Sequence, residues 1–277
     1  MAGMLYLVPT PIGNLSDISI RCRETLENAD FIAAEDTRVT LKLLNHLGIK
    51  KSLVSYYEHN KAFKGSVIVE RILAGETCAL VSDAGSPAIS DPGEDLVKEC
   101  AAAGITVCAI PGPCAVITAL SMSGQATGRF CFEGFLSTAK KSRREHLEAL
   151  KNEQRTMIFY EAPHKLLATL ESMAEAFGGE RPISLCRELT KVHEEVIRTT
   201  LAGAVELYTQ LPPKGEFVLV VAGCEPVTEE AATPADAAAR VVELMAKGLS
   251  RKDAVKQTAQ ELNLPKNVVY DAALAAE

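Results

Sequence analysis

Three apolar runs in the first half of the chain each break into a turn of small residues. Leu5–Val8 runs into Pro9-Thr10-Pro11-Ile12-Gly13-Asn14, Leu80-Val81 into Ser82-Asp83-Ala84-Gly85-Ser86-Pro87, and Ile105–Ile110 into Pro111-Gly112-Pro113-Cys114-Ala115. Glycine, lacking a Cβ, lets a ligand approach the backbone, and proline stiffens the turn around it. Short apolar runs of this kind suit buried parallel strands. Turns at the carboxyl ends of such strands build the crevice in which open α/β sheets bind ligands. The competing reading is a set of ordinary strand-to-helix turns, although the Gly, Pro and Ser content exceeds what tight turning requires. Asp83 is the charged side chain of this crevice, and none of the three turns contains a lysine. That chemistry suits a triphosphate poorly. It suits a neutral or cationic ligand rich in hydrogen-bonding groups, such as a sulfonium cofactor whose adenine, ribose and amino-acid tail are held by backbone groups.

The elements that must position these turns alternate strand with helix up to about residue 124, which predicts a parallel α/β sheet over 1–125. Within it, Ser16 or Asp17 is expected to cap a helix reaching Ala29, and Gly48 to stop the next helix at Leu47. From Phe130 the strands outnumber the helices, which predicts a second α/β domain over 126–226 with some antiparallel pairs. Residues 225–234 read as an acidic linker. The remainder, 235–277, reads as three helices, with Ser250 capping the second. This tail resembles a helix-turn-helix; a small three-helix bundle packed on the body or a dimer mate fits equally well, because acids at least balance bases there.

Composition narrows the classes further. With 277 residues and 47% apolar content the chain can build sizeable cores. It has no apolar run near the roughly 20 residues of a membrane span, and the N-terminus lacks the charged start of a signal peptide. Its eight cysteines form no CxxC pair, a pattern of reduced thiols in a cytosolic protein. The net charge of −7 requires any nucleic-acid contact to use a local basic patch. The densest is Lys140-Lys141-Ser142-Arg143-Arg144; its alternative reading is a solvated helix start, which a positive N-terminal turn disfavours. GxGxxG, GxxxxGK[ST] and GxSxG are all missing, as is any metal-ligand spacing of histidines.

Taken together, LYLVPTPIGNLSDIS, AEDTR, LVSDAGSPAISDPG and IPGPCAVITAL, with FYEAPHK and RELTK further on, resemble the bacterial small-subunit ribosomal RNA (cytidine-2′-O)-methyltransferases. These enzymes have the tetrapyrrole-methylase fold and use S-adenosylmethionine. The resemblance spans essentially the whole chain. It implies two α/β domains with the cofactor in the cleft between them, a homodimer, and a cytidine of the decoding region as target. It places the cofactor against Pro9, Thr10, Pro11, Ile12 and Gly13, against Asp83, Ala84, Gly85 and Ser86, and against Cys114 and Ala115. It adds Glu161, Cys186, Arg187, Glu216 and Phe217 from the second domain. Pro9-Thr10-Pro11 stands where tetrapyrrole methylases usually carry a glycine-rich turn.

Methylating a ribose hydroxyl requires alignment of the reactants and help for a weak nucleophile. Candidate groups are Glu35, Asp36 and Arg38 in the first domain, and Glu161, Arg187, Glu188 and Lys191 in the second. A carboxylate could take the proton, as could a desolvated lysine of lowered pKa. For Glu35–Arg38 the alternative is helix capping with a surface ion pair; for Arg187-Glu188 it is an interdomain ion pair. Lys140, Lys141, Arg143 and Arg144 would then hold RNA phosphates. A methylase of small tetrapyrroles would share the fold without needing the basic cluster or the tail. A non-enzymatic nucleic-acid-binding protein would explain those two features but not the three turns.

Overall fold

The computed structural model describes residues 3–225, 233–262 and 264–275. It divides into two compact units, 1–224 and 225–277. Most of the expected linker, 226–232, lies outside the described residues.

The first unit holds two five-stranded sheets. One consists of β1 (Met4–Leu7), β2 (Phe31–Ala34), β3 (Ser52–Ser55), β4 (Cys78–Val81) and β5 (Thr106–Ala109), in the order β3-β2-β4-β1-β5. Every pairing in it is parallel, so all five carboxyl ends share one edge. Phe31 and Ala33 of β2, with Cys78 and Leu80 of β4, face one core. Ile32, Ala34, Ala79 and Val81 face the other. This two-sided burial is why both strands read as unbroken apolar runs. Helices α3 (Lys61–Leu73) and α4 (Glu94–Ala102) cover the first face through Ile68, Ile72, Leu96 and Cys100; α1 (Ile20–Asn28) and α2 (Thr37–Leu47) cover the second through Cys22, Leu26 and Leu44.

The expected cap at Ser16 or Asp17 is corrected. Asn14 closes a single 3₁₀ turn over Leu15–Asp17, and the Ser19 side chain accepts the Cys22 amide to start α1. Gly48 ends α2 as expected, in the left-handed conformation at φ 73°.

The second sheet is mixed. It orders β6 (Phe130–Phe135), β7 (Thr156–Glu161), β10 (Phe217–Val221), β8 (Pro182–Arg187) and β9 (Glu195–Thr200), with only β6–β7 parallel. One face packs on α6 (Lys140–Ala149), α7 (Pro163–Phe177) and α8 (Leu201–Gln210). The other is covered by α5 (Ala115–Ser123), whose Val116, Ala119 and Leu120 pack on Ile158, Cys186, Val218 and Val220. Thus α5 leaves the end of β5 and serves the second sheet.

The 225–277 unit folds α9 (Pro234–Ala246), α10 (Arg251–Glu261) and α11 (Lys266–Ala275) around Val241, Leu244, Ala254, Val255 and Val269. Thr233 and Asp236 form a reciprocal capping box on α9. Ser250 caps α10 as expected. Arg240 ties α9 to α10 through Glu261 at 2.8 Å.

Candidate active site

The order β2-β4-β1-β5 brings the turns after β4, β1 and β5 side by side, with the end of β2 flanking them. Hydrogen bonds then stitch the turns together. The Thr10 amide donates to the Gly85 carbonyl and the Gly85 amide to the Thr10 carbonyl, each at 2.9 Å. The Thr10 hydroxyl donates to the Ser82 carbonyl at 3.2 Å, and the Ser86 hydroxyl to the Pro113 carbonyl at 3.1 Å. Gly112 lies so close to Pro9 that a Cβ there would sit 2.8 Å from the proline ring. Gly85 holds φ 80°, a conformation that favours glycine.

These turns and the ends of β7 and β10 enclose a cavity of about 450 Å³. The first sheet contributes Ile12, Glu35, Asp83–Ser86, Ile89, Asp91, Cys114 and Ala115. The second contributes Phe135, Tyr160–Pro163, Leu189 and Glu216–Val218. Among these described lining residues the charged ones are Glu35, Asp83, Asp91, Glu161 and Glu216, all acids, with no Lys, Arg or His.

The acids are held in different ways. Glu35 accepts the Asp83 amide at 3.4 Å, and Asp83 accepts the Asp36 amide at 3.0 Å. Burial raises the pKa of Glu35, and the neighbouring charges of Asp91 and Asp83 raise it further. Burial likewise raises Asp83 and Asp91. Glu161, 4% exposed, spends one oxygen on the Ala162 amide at 2.8 Å and the other on the Thr169 hydroxyl at 2.5 Å. It therefore fixes the start of α7 while presenting an edge to the cavity.

Several expected site residues stand off the cavity wall. Asp36 caps α2 and pairs with Arg38 at 2.6 Å; Arg38 holds the Asp36 pKa down to about 2. For these two, capping with a surface ion pair is what the structure contains, and of this group only Glu35 turns inward. Of that turn Ile12 alone lines the cavity; Pro9, Thr10, Pro11 and Gly13 do not. Cys186 is buried beneath α5, its thiol 3.7 Å from the Ala119 carbonyl. Arg187 pairs with Glu195, its cross-strand partner on β9, at 3.1 Å, so its ion pair lies within the second sheet and not between the two. Lys191 is corrected as a lowered-pKa base. Burial opposes its charge, but Glu216 at 2.8 Å and Glu188 at 3.0 Å outweigh burial and hold its pKa above the ordinary lysine value. Of the basic cluster, Lys140, Lys141 and Arg144 are exposed. Arg143 instead binds the Ser172 hydroxyl at 3.1 Å and the Ser137 carbonyl at 3.4 Å.

Other wall residues had escaped assignment. Asp91 and Ile89 lie inside the LVSDAGSPAISDPG motif, Tyr160 inside FYEAPHK and Leu189 inside RELTK, without a role of their own in the sequence reading; Phe135 lies in none of the motifs. The backbone marks two of these neighbourhoods. Ala88 and Ser90 flank Ile89 at φ 67° each, and Glu188 and Thr190 flank Leu189 at 52° and 66°. Non-glycine residues in this region are costly, a β-branched one most of all. Such strain persists where surrounding structure enforces it, often around ligand clamps.

Residues 4–205 match the family model described as "Tetrapyrrole (Corrin/Porphyrin) Methylases", and 231–277 match "RsmI C-terminal HTH domain". The curated "Ribosomal RNA small subunit methyltransferase I" of Synechocystis sp. is 48% identical over 275 residues, covering 99% of each chain. The protein of the same name from Bacillus subtilis (strain 168) is 48% identical over 274 residues, covering 98% of this chain and 94% of its own. Among solved structures, a conserved hypothetical protein from Aeropyrum pernix K1 superposes with TM-score 0.62 at 16% identity, over 99% of this chain and 96% of that one. A Thermus thermophilus uroporphyrin-III C-methyltransferase complexed with S-adenosylhomocysteine gives 0.56 at 14% identity, over 79% and 97%. These structural likenesses concern the fold.

Proposed function

The chain belongs to the tetrapyrrole methylase family and, within it, to the ribosomal RNA small subunit methyltransferase I proteins, and we propose that it transfers a methyl group from S-adenosylmethionine to the 2′-hydroxyl of a cytidine in small-subunit ribosomal RNA. The observation that carries this reading is the composition of the cavity wall: main-chain turns, apolar side chains and five carboxylates, with no cation among the described lining residues. Such a wall fits a sulfonium cofactor that bears two positive centres and many hydrogen-bonding groups. It disfavours a phosphate-rich one.

In this proposal the turns at Ile12, Asp83–Ser86 and Cys114-Ala115 hold the cofactor, with Glu161, Glu216 and Phe217 closing the opposite wall. When bound, the cofactor supplies an electrophilic methyl group. Transfer onto a hydroxyl releases one proton, which needs an acceptor. Glu35 suits that role, because it reaches the cavity and its raised pKa brings it nearer the working pH. Asp83 and Asp91 supply counter-charge to the bound cation. Lys140, Lys141 and Arg144 hold phosphates outside, since the acidic cavity repels them. Action on the decoding region, on the assembled subunit, by a homodimer and in the cytoplasm belongs to the same proposal. Its eight free thiols suit that reducing compartment.

The test is incubation with radiolabelled S-adenosylmethionine and, separately, assembled small subunits, naked ribosomal RNA, or a porphyrinoid. The expected label enters the RNA of the small subunit at one nucleotide whose 3′ phosphodiester resists alkali, as a blocked 2′-hydroxyl requires. Label on the porphyrinoid alone, or on a base, would overturn the proposal.

A further inference from the structure

β6 contains a bulge. Phe132 pairs with Ile158, yet Gly134 pairs with Phe159, so Glu133 is an extra residue in the ladder. Residues three apart on a regular strand point to opposite faces. Here the bulge, with Gly134 at φ 65°, turns Phe135 to the same side as Phe132. Both rings meet Tyr160 edge-on, at 4.9 and 5.4 Å between centroids. Bulges re-aim side chains in this way beside functional sites. Phe135 is thereby held rigidly on the cavity wall, yet 57% of it is exposed.

A second exposed apolar group faces the same cavity from the other sheet. Ile89 is 49% exposed, presented by the strained residues Ala88 and Ser90. A Cβ on Gly134 would lie 3.7 Å from the Ser90 hydroxyl oxygen, so this loop comes right up to the β6 bulge. Five residues beyond Phe135 the chain enters α6 with Lys140, Lys141 and Arg144 exposed, and Arg143 pins that turn to α7 through Ser172. An aromatic face together with a cluster of exposed cations is the combination that grips single-stranded nucleic acid, with bases stacked and phosphates paired.

We propose that Phe135, opposed by Ile89 from the first sheet, is the platform on which the acceptor nucleobase stacks at the mouth of the cavity. This rests on the reading of RNA as substrate. The carboxylates of Glu35, Asp83, Asp91 and Glu161 on the cavity wall keep the phosphates at the α6 cations, and only the nucleoside enters. The base lies between an aromatic and an aliphatic side chain, as enzymes hold bases taken out of the stack.

The chain contains no tryptophan, so Phe135→Trp creates a single fluorescent reporter on the platform itself. Small-subunit RNA should quench this fluorescence, and S-adenosylmethionine alone should leave it nearly unchanged. Phe135→Ala and Phe135→Leu should each raise KM for the RNA substrate about 10-fold or more, the usual cost of losing one stacked base. Their cofactor affinity by calorimetry and the salt dependence of RNA binding should stay as in the wild type. The proposal is overturned if Phe135→Leu equals the wild type, if Phe135→Ala weakens the cofactor as much as the RNA, or if RNA leaves the Phe135→Trp emission unchanged. Failure of the parent reading looks different: wild-type protein would bind S-adenosylmethionine and methylate no RNA.

Discussion

Replacing Gly85 by alanine tests whether the cofactor is held against the backbone of the turn after β4. Two separate costs can be worked out from the structure. The first is conformational. Gly85 sits at φ 80°, where an L side chain costs roughly 1–2 kcal/mol, partly offset by the smaller entropy of the unfolded chain. For a unit of this size the net loss should lower Tm by roughly 2–6 °C. The second cost is local. The new methyl would meet Ile12 Cγ2 at 3.3 Å, tighter than an ordinary contact. The turn cannot back away, because two 2.9 Å hydrogen bonds lock it to Thr10, and Thr10 is 3% exposed. Ile12 must therefore move, and Ile12 lines the cavity. Gly48→Ala is the matched control: φ is 73° there and nothing lies within 4 Å of the added methyl. Both variants should melt earlier by similar amounts, whereas only Gly85→Ala should bind S-adenosylmethionine more weakly, by about 10-fold, or about 1.4 kcal/mol. Thermal unfolding and calorimetric titration read the two quantities separately. Wild-type affinity in Gly85→Ala, or equal loss in both variants, would refute the close-approach argument.

Further outcomes follow from the charges. Glu35, Asp83 and Asp91 are raised above ordinary values of 4.5, 3.8 and 3.8, so the folded chain binds protons more tightly there than the unfolded chain does. Stability of the empty protein then declines as pH rises from those ordinary values through the raised ones. A cationic ligand reverses the preference, so S-adenosylmethionine affinity should increase over the same window and level off above it. Glu35→Gln should flatten that rise and slow methyl transfer; a pH-independent affinity in the wild type would contradict the cavity electrostatics. Neutralising Lys140, Lys141 and Arg144 together should reduce the slope of log affinity against log salt for RNA by about two, from about 0.7 per lost contact. The reasoning about phosphates fails if filter-binding titrations give the wild-type slope. Arg143 is left out of that set because its hydrogen bonds to Ser172 and Ser137 make it a fastener of α6.

Much of the fold was legible because its signals are local. FIAA and CALV read as strands because both faces of the first sheet are covered, and Gly48 reads as a stop because left-handed backbone closes α2. Non-local choices left no such mark. The helix at Ala115–Ser123 is apolar nearly all round, so its pattern could not reveal that it covers the second sheet. Ser19 won the cap over Ser16 because Asn14 draws Leu15–Asp17 into a separate 3₁₀ turn. Asp91 returns to the cavity only because Ala88 and Ser90 adopt left-handed backbone, which no residue type there announces. Phe135 reaches the wall through a bulge, and strict alternation along β6 would have pointed it away from Tyr160.

The same distinction decides which charged groups can act chemically. Glu188, Lys191 and Glu216 form a closed set: Lys191 bridges the two carboxylates, and Glu188 also accepts the Glu216 amide at 2.9 Å. That set holds the strained loop around Leu189 against the first sheet. A Cβ on Gly13 would sit 2.6 Å from Lys191 Cγ and 2.8 Å from the Thr190 hydroxyl oxygen, so the loop and the first turn touch only because residue 13 is glycine. A lysine held charged between two acids has no lone pair to accept a proton, and giving up its own would break both pairs. Arg187 is equally committed, to Glu195 and the Lys214 carbonyl. Glu161 spends both oxygens on α7, one on the Ala162 amide that precedes it and one on the Thr169 hydroxyl within it. Glu35 differs from all of these: its one hydrogen bond is the long 3.4 Å contact to the Asp83 amide, and its neighbours are like charges, so gaining a proton relieves repulsion. For the proposed reaction we therefore assign the acid/base work to Glu35 at the end of β2, with the polar groups of the second sheet holding the opposite wall in place.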